Sequence, residues 1–75
     1  MNSLDAGKLI FKEKSKLCSN SPGVYQVLDS NEKIIYVGKA KNLPSRLSNY
    51  SSNSNQPIRT ERMIAATKRI DTIST

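Results

Sequence analysis

The sequence predicts an α+β fold in which helices flank a small three-stranded antiparallel sheet. Two runs rich in β-branched and aromatic residues, 24–28 and 34–37, are separated by five polar residues and predict a β-hairpin. Segments with apolar residues at helical spacing precede and follow the hairpin. The final run, residues 70–75, predicts a third strand, and this order of elements is typical of helices packed on an antiparallel sheet.

A short helix, residues 5–17, and a linker, residues 19–21, are predicted before the hairpin. The helix carries a narrow apolar stripe and is expected to cover one side of the sheet. The stripe consists of Ala6, Leu9, Ile10 and Leu17. Pro22 then introduces the first strand, because the residue before a proline favours extended backbone.

The alternation of side chains along a strand assigns each hairpin residue to a face. Tyr25 and Val27 share one face of the first strand, and Ile34 and Tyr36 share one face of the second. The two tyrosines therefore lie on the same face of the sheet in only one strand register. Gly38 is predicted to close the second strand.

Two helices are predicted between the second and third strands. The first covers residues 42–50 with Asn42 as its N-cap, and Pro44 is tolerated in its first turn, where amides lack helical partners. The polar stretch 51–56 is predicted as a loop. The second helix covers residues 57 to about 69. Its apolar side is expected to consist of Met63, Ala66 and Ile70.

The composition indicates one small domain with a basic surface. At 75 residues, a domain buries only about 60% of the surface that its unfolded chain exposes. Twelve lysines and arginines against six acidic residues give a net charge of +6. Such an excess fits an ordinary solvated surface, but the concentration of charge beside the hairpin favours a polyanionic partner.

Cysteine and histidine usage excludes two kinds of site. Cys18 is the only cysteine and histidine is absent, so no internal disulfide can form and the usual zinc ligands are lacking. No apolar run is long enough to span a membrane or to serve as the core of a signal peptide. The expected location is the cytoplasm.

The residues of the hairpin resemble the paired motif of the GIY-YIG nuclease family. Gly-Val-Tyr at positions 23–25 and Tyr-Val-Gly at positions 36–38 match its two tripeptides, with valine at each central position. The run YVGKAKNL, which begins at Tyr36, and Arg46 behind it extend the likeness to the UvrC branch of the family. The resemblance covers roughly residues 20–75.

The resemblance implies a metal-dependent DNA endonuclease of bacterial nucleotide excision repair, which incises on the 3′ side of a lesion. Its cofactor would be Mg²⁺ or Mn²⁺. Its partners would be damaged double-stranded DNA and UvrB, in an assembly that depends on UvrA, and a separate C-terminal domain would make the 5′ cut. Neither a membrane nor a small-molecule substrate is expected. Residues 1–75 would form one domain, with 1–19 as helix and linker and 20–75 as the motif-bearing core.

Four side chains are the catalytic candidates. Tyr25 and Tyr36 would handle protons, but a free phenol titrates near pH 10, so either acts as a base only where cations or a metal-bound water favour the phenolate. Lys39, three residues after Tyr36, would supply such a field. Arg46 would clamp the phosphate, because its planar guanidinium can bind two phosphate oxygens. The family carries a catalytic arginine at this position, and the sequence leaves open which tyrosine is the base.

The other candidates are the motif glycines and a set of DNA-binding residues. Gly23 and Gly38 belong to the motif. The residues expected to contact the DNA backbone without reading its sequence are Lys41, Asn42, Arg59, Arg62 and Arg69. The three arginines are predicted to lie within one arc of the second helix.

The resemblance also implies that the metal ligand lies outside this chain. The family holds its metal with a glutamate on the helix after the third strand, and the acidic residues Glu13, Glu32 and Glu61 are not substitutes. The domain is therefore expected to be truncated after its third strand, inactive by itself, and partly exposed on an apolar face of its sheet.

Two alternatives remain open. One is a stand-alone or homing-type nuclease of the same family. The other is a non-catalytic basic module that binds DNA, in which the hairpin serves only as a scaffold.

Overall fold

The predicted three-stranded sheet is present, with the first strand of the hairpin at its centre. The computed structural model describes residues 3–52 and 55–74. Within these, the elements in chain order are α1 (Ser3–Leu17), β1 (Gly23–Leu28), β2 (Ile34–Ala40), α2 (Leu43–Ser52), α3 (Ile58–Ala66) and β3 (Arg69–Ser74). The strand order is β2-β1-β3, and both pairings are antiparallel. The predicted α+β class is therefore confirmed.

The second strand is longer than predicted. Lys39 and Ala40 pair with Val24 and Gly23, so the ladder continues beyond Gly38. The prediction that Gly38 closes the strand was wrong, because β1 begins at Gly23 and still offers pairing partners there. The basic segment after the motif consequently begins within the sheet.

The third helix is shorter than predicted. Thr67 leaves the helix with extended backbone, φ −67° and ψ 130°, and donates its hydroxyl to the carbonyl oxygen of Met63 over 2.8 Å. The amide of Lys68 donates to the carbonyl oxygen of Leu28 over 2.8 Å and leads the chain into β3. Arg69 therefore lies in a strand, and its predicted place on the helix was wrong.

The predicted N-cap of α2 is confirmed. The side-chain oxygen of Asn42 accepts a hydrogen bond from the amide of Ser45 over 3.0 Å. Ser51 and Ser52 are helical, so the predicted loop begins later than expected. Residues 53 and 54, which the same prediction includes, lie outside the described part of the chain.

The buried faces of α1 and α3 differ from the predicted ones. In α1 the buried residues are Gly7 and Phe11, whereas Leu17 of the predicted stripe is 80% exposed. Gly7 is buried because a Cβ there would overlap the backbone carbonyl of Ile64, so the absence of a side chain allows α1 to approach α3. Ile64 is the buried residue of α3, while Ile70 enters the core from β3.

The hairpin register places both motif tyrosines on one face of the sheet. Val27 lies opposite Tyr36 and Tyr25 lies opposite Gly38, and the two tyrosine rings stand 6.0 Å apart between centroids. A register shift after Val27 pairs Leu28 with Ile34.

This bulge interrupts the alternation of the second strand. Strict alternation places Ile35 on the face opposite Tyr36. In the structure Ile35 instead packs against the core and lines the same cleft as Tyr36.

The other face of the sheet carries exposed apolar side chains. Val37 and Ile73 are 52% and 56% exposed, whereas Tyr25 and Val27 on the opposite face are fully buried. The expectation of an exposed apolar face is thus met within the described residues. Across the same residues, no helix combines the length and apolar character needed to cross a membrane.

Gly38→Ala tests the packing of the hairpin. A Cβ at Gly38 would overlap the Cζ and hydroxyl oxygen of Tyr25, which is fully buried and has little room to move. We expect the free energy of unfolding to fall by about 1–3 kcal/mol, the usual cost of overpacking. Chemical denaturation followed by circular dichroism measures this change.

The matched control is Lys39→Ala, at the next position of the same strand, where the side chain is exposed. This change should stay within about 0.5 kcal/mol of the parent chain. Equal stability of the Gly38→Ala variant and the parent would contradict the assigned contact between Tyr25 and Gly38.

Candidate active site

Three tyrosines and an arginine form a connected polar group at the junction of the hairpin and α2. The hydroxyls of Tyr25 and Tyr50 are 2.8 Å apart and share a hydrogen bond. Arg46 Nε donates to the Tyr25 hydroxyl over 3.5 Å, and the guanidinium carbon lies 5.5 Å from the centroid of the Tyr50 ring. We call Tyr25, Tyr36, Arg46 and Tyr50 the tyrosine–arginine cluster.

Burial separates the three tyrosines. Tyr25 is fully buried and Tyr50 is 9% exposed, whereas Tyr36 is 39% exposed. A side chain must reach solvent or substrate to exchange a proton with it. Among these three phenols, Tyr36 is therefore the one accessible to a ligand, and Tyr25 and Tyr50 form the support beneath it.

The electrostatics of the cluster keep Tyr50 neutral and Arg46 charged. Burial, reinforced by its hydrogen bond to Tyr25, raises the pKa of Tyr50 well above the ordinary value for a phenol. The hydrogen bond to Tyr25 likewise raises the pKa of Arg46. Tyr50 consequently stays protonated and acts as a hydrogen-bonding partner, while Arg46 presents a full positive charge.

The helix α2 aims Arg46 at the hairpin. Leu43 and Leu47 are buried in the core, so the helix is fixed in rotation about its axis. Arg46 and Tyr50 are four residues apart and therefore lie on the same side of the helix. The predicted position of Arg46, at the border of the packed side and near the tyrosines, is confirmed by its contacts.

Three clefts adjoin the cluster. The central cleft, of about 470 Å³, is bordered by Tyr36, Arg46, Asn49, Tyr50 and Thr60, among others. The basic cleft, of about 310 Å³, is bordered mainly by Lys39, Lys41, Asn42, Ser45, Arg46 and Asn49. The apolar cleft, of about 170 Å³, is bordered by Ile35, Tyr36, Tyr50, Arg59, Thr60 and Met63. Shared residues connect the three into one surface.

The structure brings most of the predicted site residues to this surface. Tyr25, Tyr36 and Arg46 meet in the cluster, as the previous contacts show. Two further groups border the clefts. They are Lys39, Lys41 and Asn42 at the basic cleft and Arg59 at the apolar cleft. Asn42 also uses its side-chain oxygen as the cap of α2.

Two predicted DNA-binding arginines lie elsewhere. Arg62 is exposed on α3 and borders none of the three clefts. Arg69 forms ion pairs with Glu32 at 2.8 Å and Asp71 at 3.3 Å. The prediction of one arc for the three arginines was wrong, because the helix ends before Arg69 and the chain has already entered the sheet.

Sequence reasoning assigned no place in the site to Tyr50, which the structure shows within the hydrogen-bonded cluster. The signal was its position four residues after Arg46, together with the need of a buried phenol for a hydrogen-bond partner.

Gly23 is explained by close packing, because a Cβ there would overlap the carbonyl oxygen of Ile73 and crowd Leu43.

The site lacks the ligands of a divalent cation. Mg²⁺ and Mn²⁺ bind carboxylate oxygens, yet no aspartate or glutamate borders the three clefts. Within residues 3–52 and 55–74, no three His, Cys, Asp or Glu side chains are grouped so that they could hold a metal. The residues present therefore do not fit a divalent cation without a further ligand.

Comparison with known sequences identifies a family. Residues 21–75 match the family model of the UvrC-like GIY-YIG domain. The UvrABC system protein C of Bradyrhizobium diazoefficiens is 47% identical over 73 residues, which are 96% of this chain and 11% of that protein. The protein of the same name from Rhodopseudomonas palustris is 42% identical over 72 residues, 96% of this chain and 10% of its own length. The chain thus spans about a tenth of these relatives.

Solved structures agree with this result. The GIY-YIG N-terminal endonuclease domain of UvrC from Thermotoga maritima, bound to its catalytic divalent cation magnesium, matches with a TM-score of 0.73 and 29% identity. The match covers 87% of this chain and 70% of that domain. A tyrosine-to-phenylalanine point mutant of the same domain matches with a TM-score of 0.72 and 28% identity, over 87% of this chain and 69% of the mutant. Fold and sequence agree, and the chain belongs to the UvrC-like GIY-YIG family.

Proposed function

We propose that this chain is the catalytic region of an N-terminal UvrC endonuclease domain, which makes the 3′ incision beside a DNA lesion during nucleotide excision repair. The observation that carries the proposal is the contact of Arg46 with Tyr25, beside the exposed Tyr36 at the central cleft. A charged guanidinium next to an accessible phenol suits hydrolysis of a phosphodiester. The family of the chain supports the same chemistry.

Arg46 is the proposed phosphate ligand. Its hydrogen bond to Tyr25 and its position over Tyr50 hold one face of the guanidinium, while the residue remains exposed toward the central and basic clefts. A positive charge held in advance at this position opposes the negative charge that develops on the phosphate during attack. Tyr25 and Tyr50 are positioning residues in this proposal.

Tyr36 is the proposed proton-handling residue. It is the exposed tyrosine of the cluster, whereas the hydroxyl of Tyr25 is fully buried and already engaged by Arg46 and Tyr50. In its phenolate form, Tyr36 would take the proton of a water molecule in the central cleft as the water oxygen bonds to phosphorus. The bond from phosphorus to the leaving deoxyribose oxygen then breaks, and that oxygen takes a proton from solvent. Lys39 lies on the adjoining basic cleft, where its charge favours an anionic substrate.

The basic cleft and Arg59 are proposed to hold the flanking DNA backbone. Lys39, Lys41 and Arg46 border one continuous surface without an acidic residue, and Arg59 lies at its other end. Contacts of this type fix the position of a strand and carry no sequence information. Arg69 is a weaker candidate for binding DNA phosphates, because Glu32 and Asp71 already form ion pairs with its guanidinium.

A divalent cation, Mg²⁺ or Mn²⁺, is proposed for the complete nuclease. Because the described residues do not provide its carboxylate ligands, we assign that ligand to a part of the protein outside this chain. The relative from Thermotoga maritima binds magnesium as its catalytic cation. Residues 1–75 alone are accordingly proposed to bind DNA without cleaving it.

The proposed setting follows from the curated relatives, which are components of the UvrABC system. The substrate is damaged double-stranded DNA in the bacterial cytoplasm, and the partner is UvrB after UvrA-dependent loading. We propose that residues 1–75 act as one domain, since α1 packs on α2 and α3 through Gly7 and Phe11.

Arg46→Ala in the full-length protein should reduce 3′ incision of a lesion-bearing duplex by about 100-fold or more, because the phosphate loses the positive guanidinium that binds it. Arg46→Lys should recover part of the rate, since it restores charge without the planar fork. Arg62→Ala is the matched control and should cut normally. Incision within a few-fold of the parent rate for Arg46→Ala would remove the residue from the mechanism.

Binding of the 75-residue chain to undamaged duplex DNA should be weak and should fall steeply with salt. The slope of log K against log salt is expected to be about −0.9 for each phosphate neutralised. Lys41→Ala should make the slope less negative by about 1, whereas Arg69→Ala should leave it unchanged. Fluorescence anisotropy at several salt concentrations measures the slope, and equal effects of the two variants would contradict the proposed surface.

The 75-residue chain should neither cleave DNA in magnesium or manganese nor gain thermal stability from them, because no carboxylate stands at the cluster. Gel assays and thermal melting with and without each ion provide the two readouts. Metal-dependent cleavage by this chain that disappears in the Arg46→Ala variant would show that the ligand lies within it.

A further inference from the structure

The apolar cleft beside Tyr36 is not used by the proposed chemistry. It lies between the bulged part of β2 and one side of α3, and Ile35 and Met63 supply aliphatic and thioether groups to it. The rings of Tyr36 and Tyr50 form another wall. These aliphatic, thioether and ring groups offer no partner to phosphate oxygens, which require charged or hydrogen-bonding groups. Within the lining, Arg59 and Thr60 supply groups of that kind.

The cleft is continuous with the proposed catalytic surface. Tyr36, Tyr50 and Thr60 border both the apolar and the central cleft. A strand whose phosphate lies at Arg46 therefore has its adjacent nucleotide within reach of the apolar cleft. The uncharged, flat part of that nucleotide is its base.

We propose that the apolar cleft receives one unstacked base of the DNA strand whose phosphate is held at Arg46. This inference rests on the proposed function and adds a base-binding subsite to it. The volume of about 170 Å³ corresponds to roughly six water molecules of the liquid at ~30 Å³ each. A space of this size suits a single pyrimidine ring.

The lining of the apolar cleft can accept any of the four bases. The exposed ring of Tyr36 offers a stacking surface, and every base presents a π-face to it. Thr60 adds one hydroxyl and Arg59 one guanidinium, neither of which by itself distinguishes the four bases. The subsite therefore selects DNA in which a base is already free to leave its stack.

This selection connects the subsite with damaged DNA. Extruding a base from an intact duplex costs the energy of its pairing and stacking, and the cost is lowest in mismatched, damaged or single-stranded DNA. An opened strand would thus bind more tightly than an intact duplex with the same number of phosphates.

The test compares two single-stranded oligonucleotides of equal length and charge. One is oligothymidylate, and in the other the central nucleotides are abasic. Stacking of one base contributes about 1–3 kcal/mol, so the 75-residue chain should bind oligothymidylate roughly 5-fold to 140-fold more tightly. Fluorescence anisotropy without metal ions measures both dissociation constants, so the result does not depend on nuclease activity.

Thr60→Leu places a larger side chain at the mouth of the apolar cleft, and the ratio of the two dissociation constants should fall toward one. Ala66→Leu adds a leucine to an exposed position of the same helix, away from the cleft, and should retain the parent ratio. A ratio that stays high in Thr60→Leu would place the base elsewhere and overturn the inference.

A second measurement requires no variant. One 2-aminopurine in the oligothymidylate should become less accessible to acrylamide quenching when the parent chain binds, and unchanged quenching contradicts the subsite. If the parent chain binds both oligonucleotides equally, the subsite fails while the phosphate surface stands. If it binds neither, the proposed DNA-binding function fails as well.

Discussion

The contact of Tyr25 with Gly38 is the constraint on which the site depends. The glycine leaves the space above β2 that the tyrosine ring fills, and the ring then delivers its hydroxyl to Tyr50 and Arg46. A side chain at Gly38 would displace the ring and with it the partner that holds the guanidinium. The two tripeptides of the family motif are thus in direct contact, since Tyr25 of the first packs over Gly38 of the second across the β1–β2 pair.

Burial divides the side chains of the tyrosine–arginine cluster into two groups. Tyr25 and Tyr50 share a hydrogen bond inside the core. Tyr50 stays neutral because burial raises its pKa, which avoids placing a negative charge in an apolar environment. Arg46 and Tyr36 are exposed at the surface above them. The cluster therefore presents the positive charge of Arg46 at its exposed side.

Much of the fold and part of the tyrosine–arginine cluster could be predicted from the sequence. β-Branched runs, the N-cap Asn42 and the motif residues were sufficient for the hairpin, α2 and the position of Arg46. These features depend on residues that are close in the sequence.

The predictions that failed depend on contacts between distant segments. Gly7 is buried because of the backbone of α3, and α3 ends early because the chain begins to pair with β1. The hydrogen bond of Tyr50 to Tyr25 joins residues 25 positions apart, so helical spacing alone shows Tyr50 only as a packing residue.

The close approach of Gly7 to Ile64 has a consequence for where the domain can be divided. The segment that matches the family model begins at residue 21 and the motif at Gly23, but Phe11 is fully buried and its ring lies 4.9 Å from that of Tyr50. A fusion or a minimal domain that starts at the motif would keep the tyrosine–arginine cluster and lose Phe11, which packs against Tyr50. The segment that matches the family model therefore starts later in the chain than the set of residues that packs around Tyr50.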